Sequence, residues 1–342
     1  DYIIAYQNTS STPSSKILFQ IFNLTGGNIT TVQTADADNY GTDYGWFVSV
    51  SVAEENISAI AFPDMAIGNI TFIVYNWTTV MTSQVRIFNY GATVNAYGNQ
   101  CDFVNRTVLV CAFTDPANQD FNYNAWQIKG TQIGNNATVD ATAGAVPLSP
   151  KMSAVNETHV IFCEEDDTDT DASFQVLNWA TGYAESPFTD ANTAIGASPS
   201  VTCEAINNTL MAVSYRMTAG TQNNRFTLYN QSGRNQSTEI NSSSGTPASA
   251  NYQNVFARAT ALNISLCNSA FISNNTFIHI YADSTTKTSW SPYMSNGSDW
   301  NGTCVPAPSP PPPPAPQQFN TTGLLLLWDN SSGVPTGYED IS

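Results

Sequence analysis

Polar and apolar residues alternate along this chain in short spans, with turn-forming residues about every ten positions. "WFVSVSVA" (46–53) and "SPSVTCEA" (198–205) alternate, as a strand half covered on one side does, whereas "VLVCAF" (108–113) is apolar throughout. An uninterrupted run of that length fits a strand covered on both faces. No segment carries apolar residues at helical spacing, so the pattern predicts an all-β chain.

The alternating and continuous runs come in pairs, joined by an Asn-x-Ser/Thr. Aligned on that tripeptide, Asn56, Asn105, Asn156, Asn207, Asn263 and Asn301 follow one another at 49, 51, 51, 56 and 38 residues. A second landmark is a strand running into a polar turn, as in "ILFQIFNLTGG", "SFQVLNWATG" and "GLLLLWDNSSG". Anchored at Phe19, Phe72, Trp126, Phe174, Phe226, Phe277 and Leu324, it recurs at 53, 54, 48, 52, 51 and 47 residues. A unit of about fifty residues with room for four strands predicts a propeller blade. The expected fold is a seven-bladed β-propeller with four-stranded blades, strands A to D running outward from the axis. Each repeated sequon then falls at an A–B turn, and the "YNQSG"-like pieces at C–D turns.

Both ends of the ring are irregular. Residue Asp1 enters directly into strand B of blade 1, and strand B of blade 7, opening at "TCVPAP", dissolves into a proline run where no ladder donor exists. The expected division is residues 1–304 for blades 1 to 6 and the start of blade 7, 305–319 for a polyproline rod, and 320–342 for a terminal strand segment. That segment either completes blade 7 or is donated to another copy.

Composition narrows the function. Hydrophobic residues make up 42% and charged residues 11%, with a net charge of −17. Four lysines and six arginines cannot build a nucleic-acid groove, and no apolar stretch reaches membrane length. The chain has 36 asparagines and 72 serines plus threonines. Chance would pair them into roughly eight sequons, yet nineteen occur: Asn8, Asn23, Asn28, Asn56, Asn69, Asn76, Asn105, Asn136, Asn156, Asn207, Asn230, Asn235, Asn241, Asn263, Asn274, Asn296, Asn301, Asn320 and Asn330. Six cysteines without a Cys-x-x-Cys motif point to disulfides and an extracellular location. Cys101 and Cys111 flank a turn symmetrically. The expected pairs are Cys101–Cys111, Cys163–Cys203 and Cys267–Cys304.

Catalytic constellations are not legible. His159 and His279 each sit inside an apolar strand, as packing residues do, and no nucleophile elbow, zinc-protease or phosphate-loop motif occurs. The acidic run "EEDDTDTDAS" offers Asp167, Asp169 and Asp171 as a weak Ca²⁺ candidate beside the plainer reading of a solvated loop; otherwise no metal or cofactor is expected. "SPPPPPAP" closely resembles the hydroxyproline-rich segments of algal and plant matrix glycoproteins of the pherophorin and extensin families. The resemblance covers about a dozen residues. It implies hydroxylation and O-glycosylation at Pro310, Pro311, Pro312, Pro313 and Pro314, and less firmly at Pro306, Pro308 and Pro316.

Three functions follow as expectations. The first is a non-enzymatic, glycan-coated structural protein of a surface coat or filament, its partner another copy of itself. The second is a secreted carbohydrate-binding or adhesion propeller using the opposite face, with Phe121, Tyr123 and Trp126 near Asp120 as stacking candidates. A glycosidase on that face is the third.

Overall fold

The computed structural model describes residues 2–294 apart from stretches between strands, the longest being 41–47, 90–98, 141–150, 193–200, 217–223, 242–254 and 259–275. The described residues contain strands and no helix. Sheet one is β1 (Tyr2–Asn8), β2 (Ser15–Phe22) and β3 (Gln33–Tyr40). Sheet two is β4 (Ser49–Glu54), β5 (Ile57–Asp64), β6 (Asn69–Asn76) and β7 (Thr79–Asn89). Sheet three is β8 (Asn99–Asn105), β9 (Val108–Asp115), β10 (Asp120–Gln127) and β11 (Ala137–Asp140).

Sheet four is β12 (Lys151–Ala154), β13 (His159–Asp166) and β14 (Asp171–Asn178), with β15 (Tyr183–Ala184) and β16 (Thr189–Asn192) both pairing β14. Sheet five is β17 (Val201–Asn207), β18 (Leu210–Arg216), β19 (Asn224–Asn230) and β20 (Ile240–Asn241). Sheet six is β21 (Val255–Arg258), β22 (Thr276–Ala282) and β23 (Thr288–Met294). Each is an antiparallel meander in chain order.

Successive sheets pack face to face, and the first strand of each lies beside the first strand of the next: β4 by β8, β8 by β12, β12 by β17, β17 by β21. That is the arrangement of a β-propeller. The expected seventh blade lies outside the described residues. Sheet one begins in the second position, as the sequence predicted: β1 takes the place that β5, β9, β13 and β18 hold in the later sheets.

The continuous apolar runs explain the packing. In β9, Leu109 and Cys111 face the second sheet while Val110 and Ala112 face the fourth, and all four are fully buried. Four apolar clusters are therefore interfaces between neighbouring blades. Ile3, Ile17 and Phe19 meet Phe62 and Tyr75 between sheets one and two, and Phe174 and Val176 meet Met211 and Val213 between sheets four and five. Aromatic pairs bridge the same seams, with ring centroids 5.7 Å apart for Phe72 and Trp126 and 5.1 Å for Tyr123 and Phe162. Burying aromatic and aliphatic side chains at each seam is the main stabilising term.

Two disulfides add covalent ties. Cys101 and Cys111 stand directly opposite each other on β8 and β9, with Cα atoms 4.0 Å apart. Cys163 on β13 joins Cys203 on β17 across a blade seam, with Cα atoms 6.0 Å apart. Both are the pairs expected from spacing; Cys267–Cys304 lies outside the described residues. Closing a loop 40 residues apart removes more unfolded-state entropy than closing one 10 apart. Replacing both cysteines by serine should therefore cost about 4 kcal/mol for Cys163–Cys203 and about 3 kcal/mol for Cys101–Cys111. Guanidinium unfolding of the two double variants checks the order.

Candidate functional site

Two features recur around the ring. The first is a belt of hydrogen bonds between innermost strands. Ser51 Oγ accepts the Phe103 N–H at 3.0 Å and donates to Asp102 Oδ1 at 2.6 Å. Asp102 Oδ2 accepts the Ala154 N–H at 2.8 Å, and Ser153 Oγ accepts the Ala205 N–H at 3.2 Å. Two residues earlier, Ser49 Oγ accepts the Cys101 N–H and Gln100 Oε1 the Met152 N–H. An innermost strand has one edge without a ladder partner, and these side chains satisfy it.

The second feature is the A–B turn. In three successive blades the turn asparagine folds back on its own sequon: Asn105 Oδ1 accepts from the Thr107 N–H at 2.9 Å and from Thr107 Oγ1 at 3.0 Å. Asn156 with Thr158, and Asn207 with Thr209, repeat both distances. This is an Asx-turn, which holds the carboxamide oxygen inward. The amide Nδ2 of each, the atom an N-glycan is attached to, donates no hydrogen bond among the described residues. Arg106, Glu157 and Asn208 at the turn centres are exposed.

The C–D turn of the same blade braces each of these turns. The Ile128 N–H donates to the Thr107 carbonyl at 3.0 Å, and the Trp179 N–H to the Thr158 carbonyl at 3.1 Å. Trp179 Nε1 reaches the Glu157 carbonyl at 2.9 Å, and Gln231 Nε2 the Asn208 carbonyl at 2.6 Å. A–B and C–D turns thus share one face of the propeller. The C–D turns are closed by Gly130, Gly182 and Gly233, whose φ of 84°, 71° and 72° only glycine adopts without strain. Asn230, also a sequon, accepts there from the Ser232 and Arg234 N–H groups.

The sequons expected from the sequence fall into distinct settings. Asn28, Asn76 and Asn235 are exposed, Asn23 and Asn230 half-buried. Asn8 and Asn241 lie on β1 and β20, with side chains outside the described residues; Asn136, Asn263, Asn274, Asn296, Asn301, Asn320 and Asn330 lie wholly outside them, as do Pro306, Pro308, Pro310 to Pro314 and Pro316. Asn69 stands apart: it is 8% exposed and its partner Thr71 1%, both packed into β6. The alignment of Asn56 with Asn105 needs correcting. Glu54 pairs with Ile57 as Asn105 pairs with Val108, so Glu54 holds the repeated position and Asn56, itself outside the described residues, stands at the place of Thr107.

The candidates for other chemistry disperse. Phe121, Tyr123 and Trp126 are 1%, 3% and 7% exposed, committed to blade seams rather than offered to a sugar. Glu164 and Asp171 of the acidic run are buried; Asp167 and Asp169 lie outside the described residues, which hold no cluster of three metal-ligating side chains. His159 is half-buried, its ring nitrogens meeting Thr158 Oγ1 at 2.8 Å and Glu185 Oε1 at 3.2 Å. The side chain of His279, on β22, lies outside the described residues.

No family model matches the chain, and no curated protein does. Among solved structures it is similar to a protein of unknown function from Dyadobacter fermentans, at 9% identity over 84% of this chain and 89% of that one, with a TM-score of 0.52. It is also similar to Aleuria aurantia lectin with α-methyl-L-fucoside (11% identity, 90% and 96% covered, TM-score 0.48). A third likeness is to Penicillium chrysogenum α-L-arabinanase with arabinobiose (11% identity, 85% and 89% covered, TM-score 0.47). At such identities the likeness concerns fold alone.

Half-buried Lys151 holds the position of Ser49 and Gln100 on its innermost strand, and burial pushes its ammonium down to about 8. Between that value and the unfolded 10.5 the unfolded chain binds more protons, so stability rises with pH through this window. Tyr75 and Tyr229, held up to about 12 by burial, act oppositely above their unfolded value of 10.0, where stability falls. Urea unfolding from pH 7.5 to 10 should show the rise in the native chain and its loss in Lys151→Met.

Proposed function

We propose that the protein is a structural, N-glycosylated extracellular glycoprotein, a subunit of a surface coat or filament, and not an enzyme. The observation that carries this reading is the repeated Asx-locked sequon: Asn105, Asn156 and Asn207 stand at the same position in three adjacent blades, on one face, each with an amide nitrogen that donates no hydrogen bond among the described residues. A glycan at each would cover that face with sugar and stiffen a surface that already holds few charges. Two disulfides and a low charged fraction fit a secreted chain that owes its solubility to attached sugar. The proline rod, with O-linked sugar on Pro310 to Pro314, serves as the spacer of a copy-to-copy assembly, and residues 320–342 as its contact. Calcium at Asp167, Asp169 and Asp171 is an optional feature of the same reading.

A second reading is a carbohydrate-binding propeller. It would use the end opposite the sequon turns, where the sequon at Asn69 is buried in β6. Two of the similar structures are named for sugar ligands, but that likeness concerns fold.

Glycopeptide mapping of native material after enzymatic deglycosylation in heavy-oxygen water tests the carrying observation. Asn105, Asn156 and Asn207 are expected to be modified and Asn69 unmodified; three bare sites would sink the proposal. Electron cryomicroscopy of the same material separates the readings. Filaments support the structural role, whereas dispersed monomers that bind a glycan array support the second.

A further inference from the structure

The turn at Asn156 differs from those at Asn105 and Asn207 in what lies across it. Trp179 bonds this turn twice: its backbone N–H donates to the Thr158 carbonyl at 3.1 Å, and its indole Nε1–H to the Glu157 carbonyl at 2.9 Å. Ile128 holds the same place in sheet three, where its N–H donates to the Thr107 carbonyl. In sheet five the place belongs to Gln231, whose side-chain amide reaches the Asn208 carbonyl at 2.6 Å. Of these three residues only Trp179 brings an aromatic ring to a sequon turn.

That ring is fixed in place and only half-buried. It packs against the apolar seam between sheets three and four, and Tyr123 Oη donates to the Trp179 carbonyl at 3.4 Å. The asparagine is fixed as well: Asn156 Oδ1 accepts from the Thr158 N–H, from Thr158 Oγ1 and from the His159 N–H. With the oxygen so held, a sugar on Nδ2 leaves the turn in one direction.

On the reading of Asn156 as a glycan-bearing site, we infer that Trp179 is the surface on which the first N-acetylglucosamine of that glycan stacks. The C–H groups on one side of a pyranose carry slight positive charge and match the negative face of an aromatic ring. Such a contact is weak and would not hold a free sugar. Here the sugar is tied to the residue next to the carbonyl that the indole bonds, so the contact forms at high effective concentration. Little freedom is lost in forming it, because the indole and the asparagine are already locked. The glycan at Asn156 is therefore ordered against the protein, whereas those at Asn105 and Asn207 have no ring from this position to rest on.

Timed release of sugar from the folded glycoprotein by a peptide-N-glycosidase, followed at each site by glycopeptide mapping, tests the stacking. Trp179→Gln removes the ring and keeps a donor for the Glu157 carbonyl, as Gln231 provides for that of Asn208. Release at Asn156 should be about two- to tenfold faster in this variant than in the native chain, the range that aromatic contacts are worth, with Asn105 and Asn207 unchanged. Equal rates at an occupied Asn156 would overturn the stacking and leave the glycan reading intact, whereas a bare Asn156 would sink both. Hydroxyl-radical labelling of Trp179, read by mass spectrometry, needs no change to the indole and serves if the variant does not fold. Labelling should rise about twofold or more once the sugar has been removed enzymatically, with Trp126, buried in its seam, unchanged. The same labelling of Trp179 before and after removal would overturn the stacking.

Discussion

A strand at the inner edge of a blade has backbone donors that no ladder can use, and near the axis of a propeller there is no room for a further strand to take them. In this protein a short polar side chain from the preceding blade supplies the missing acceptor, from Ser51 to Phe103, Asp102 to Ala154 and Ser153 to Ala205. The bond fixes more than energy. Because it joins a side chain to a backbone position, it sets the height of each blade against the last. A slip of one residue would turn every apolar side chain of that strand to the wrong seam. The uniform interval of the described blades follows from this, since Ser51, Asp102 and Ser153 stand at equal spacing. Their small size matters too. A longer side chain would push the strands apart, and an apolar one would leave a buried N–H without a partner.

With the inner strands level, the turns that follow them are level as well. The Asx-turns at Asn105, Asn156 and Asn207 reach the same face at the same height, and each is braced by the neighbouring C–D turn rather than left to the two residues of the loop. A rigid turn holds its amide nitrogen in one direction, so glycans attached there would leave the surface in parallel instead of sweeping it. The same levelling explains why Asn69-Ile-Thr71 behaves differently. It satisfies the tripeptide rule, but it begins a third strand that is covered by blades on both sides. A tripeptide is a local pattern, and burial is decided by the whole ring.

Much of this was legible before any coordinates. Alternation, continuous apolar runs and a fifty-residue period gave the all-β class, the order of strands and the missing first strand, and the symmetric placement of Cys101 and Cys111 about a turn gave a correct bridge. Cys163 and Cys203 were readable once the strands were assigned, because the bridge crosses a seam. The sequence misled where a motif could be met by two registers: Asn56 satisfies the sequon pattern, yet the pairing of Glu54 with Ile57 puts it two positions late. Phe121, Tyr123 and Trp126 could be placed on a strand but not on a side, since both faces of that strand are covered. The belt itself left a signal that tripeptide alignment passed over: a serine or acid three residues before each turn asparagine. Its meaning depends on the neighbouring blade, which no local reading contains.

The bridge from Cys163 to Cys203 has a mechanical side. It spans two blades, so the residues between the two sulfurs cannot be drawn out by a force applied to the ends of the chain, even after every hydrogen bond between them has broken. With 40 positions enclosed, some 140 Å of contour length stays locked in the middle of the molecule. Under tension the blades on either side would yield first and the linked pair would remain as a knot of fixed size, so the length to which the chain can be drawn out would change with the redox state of this bond.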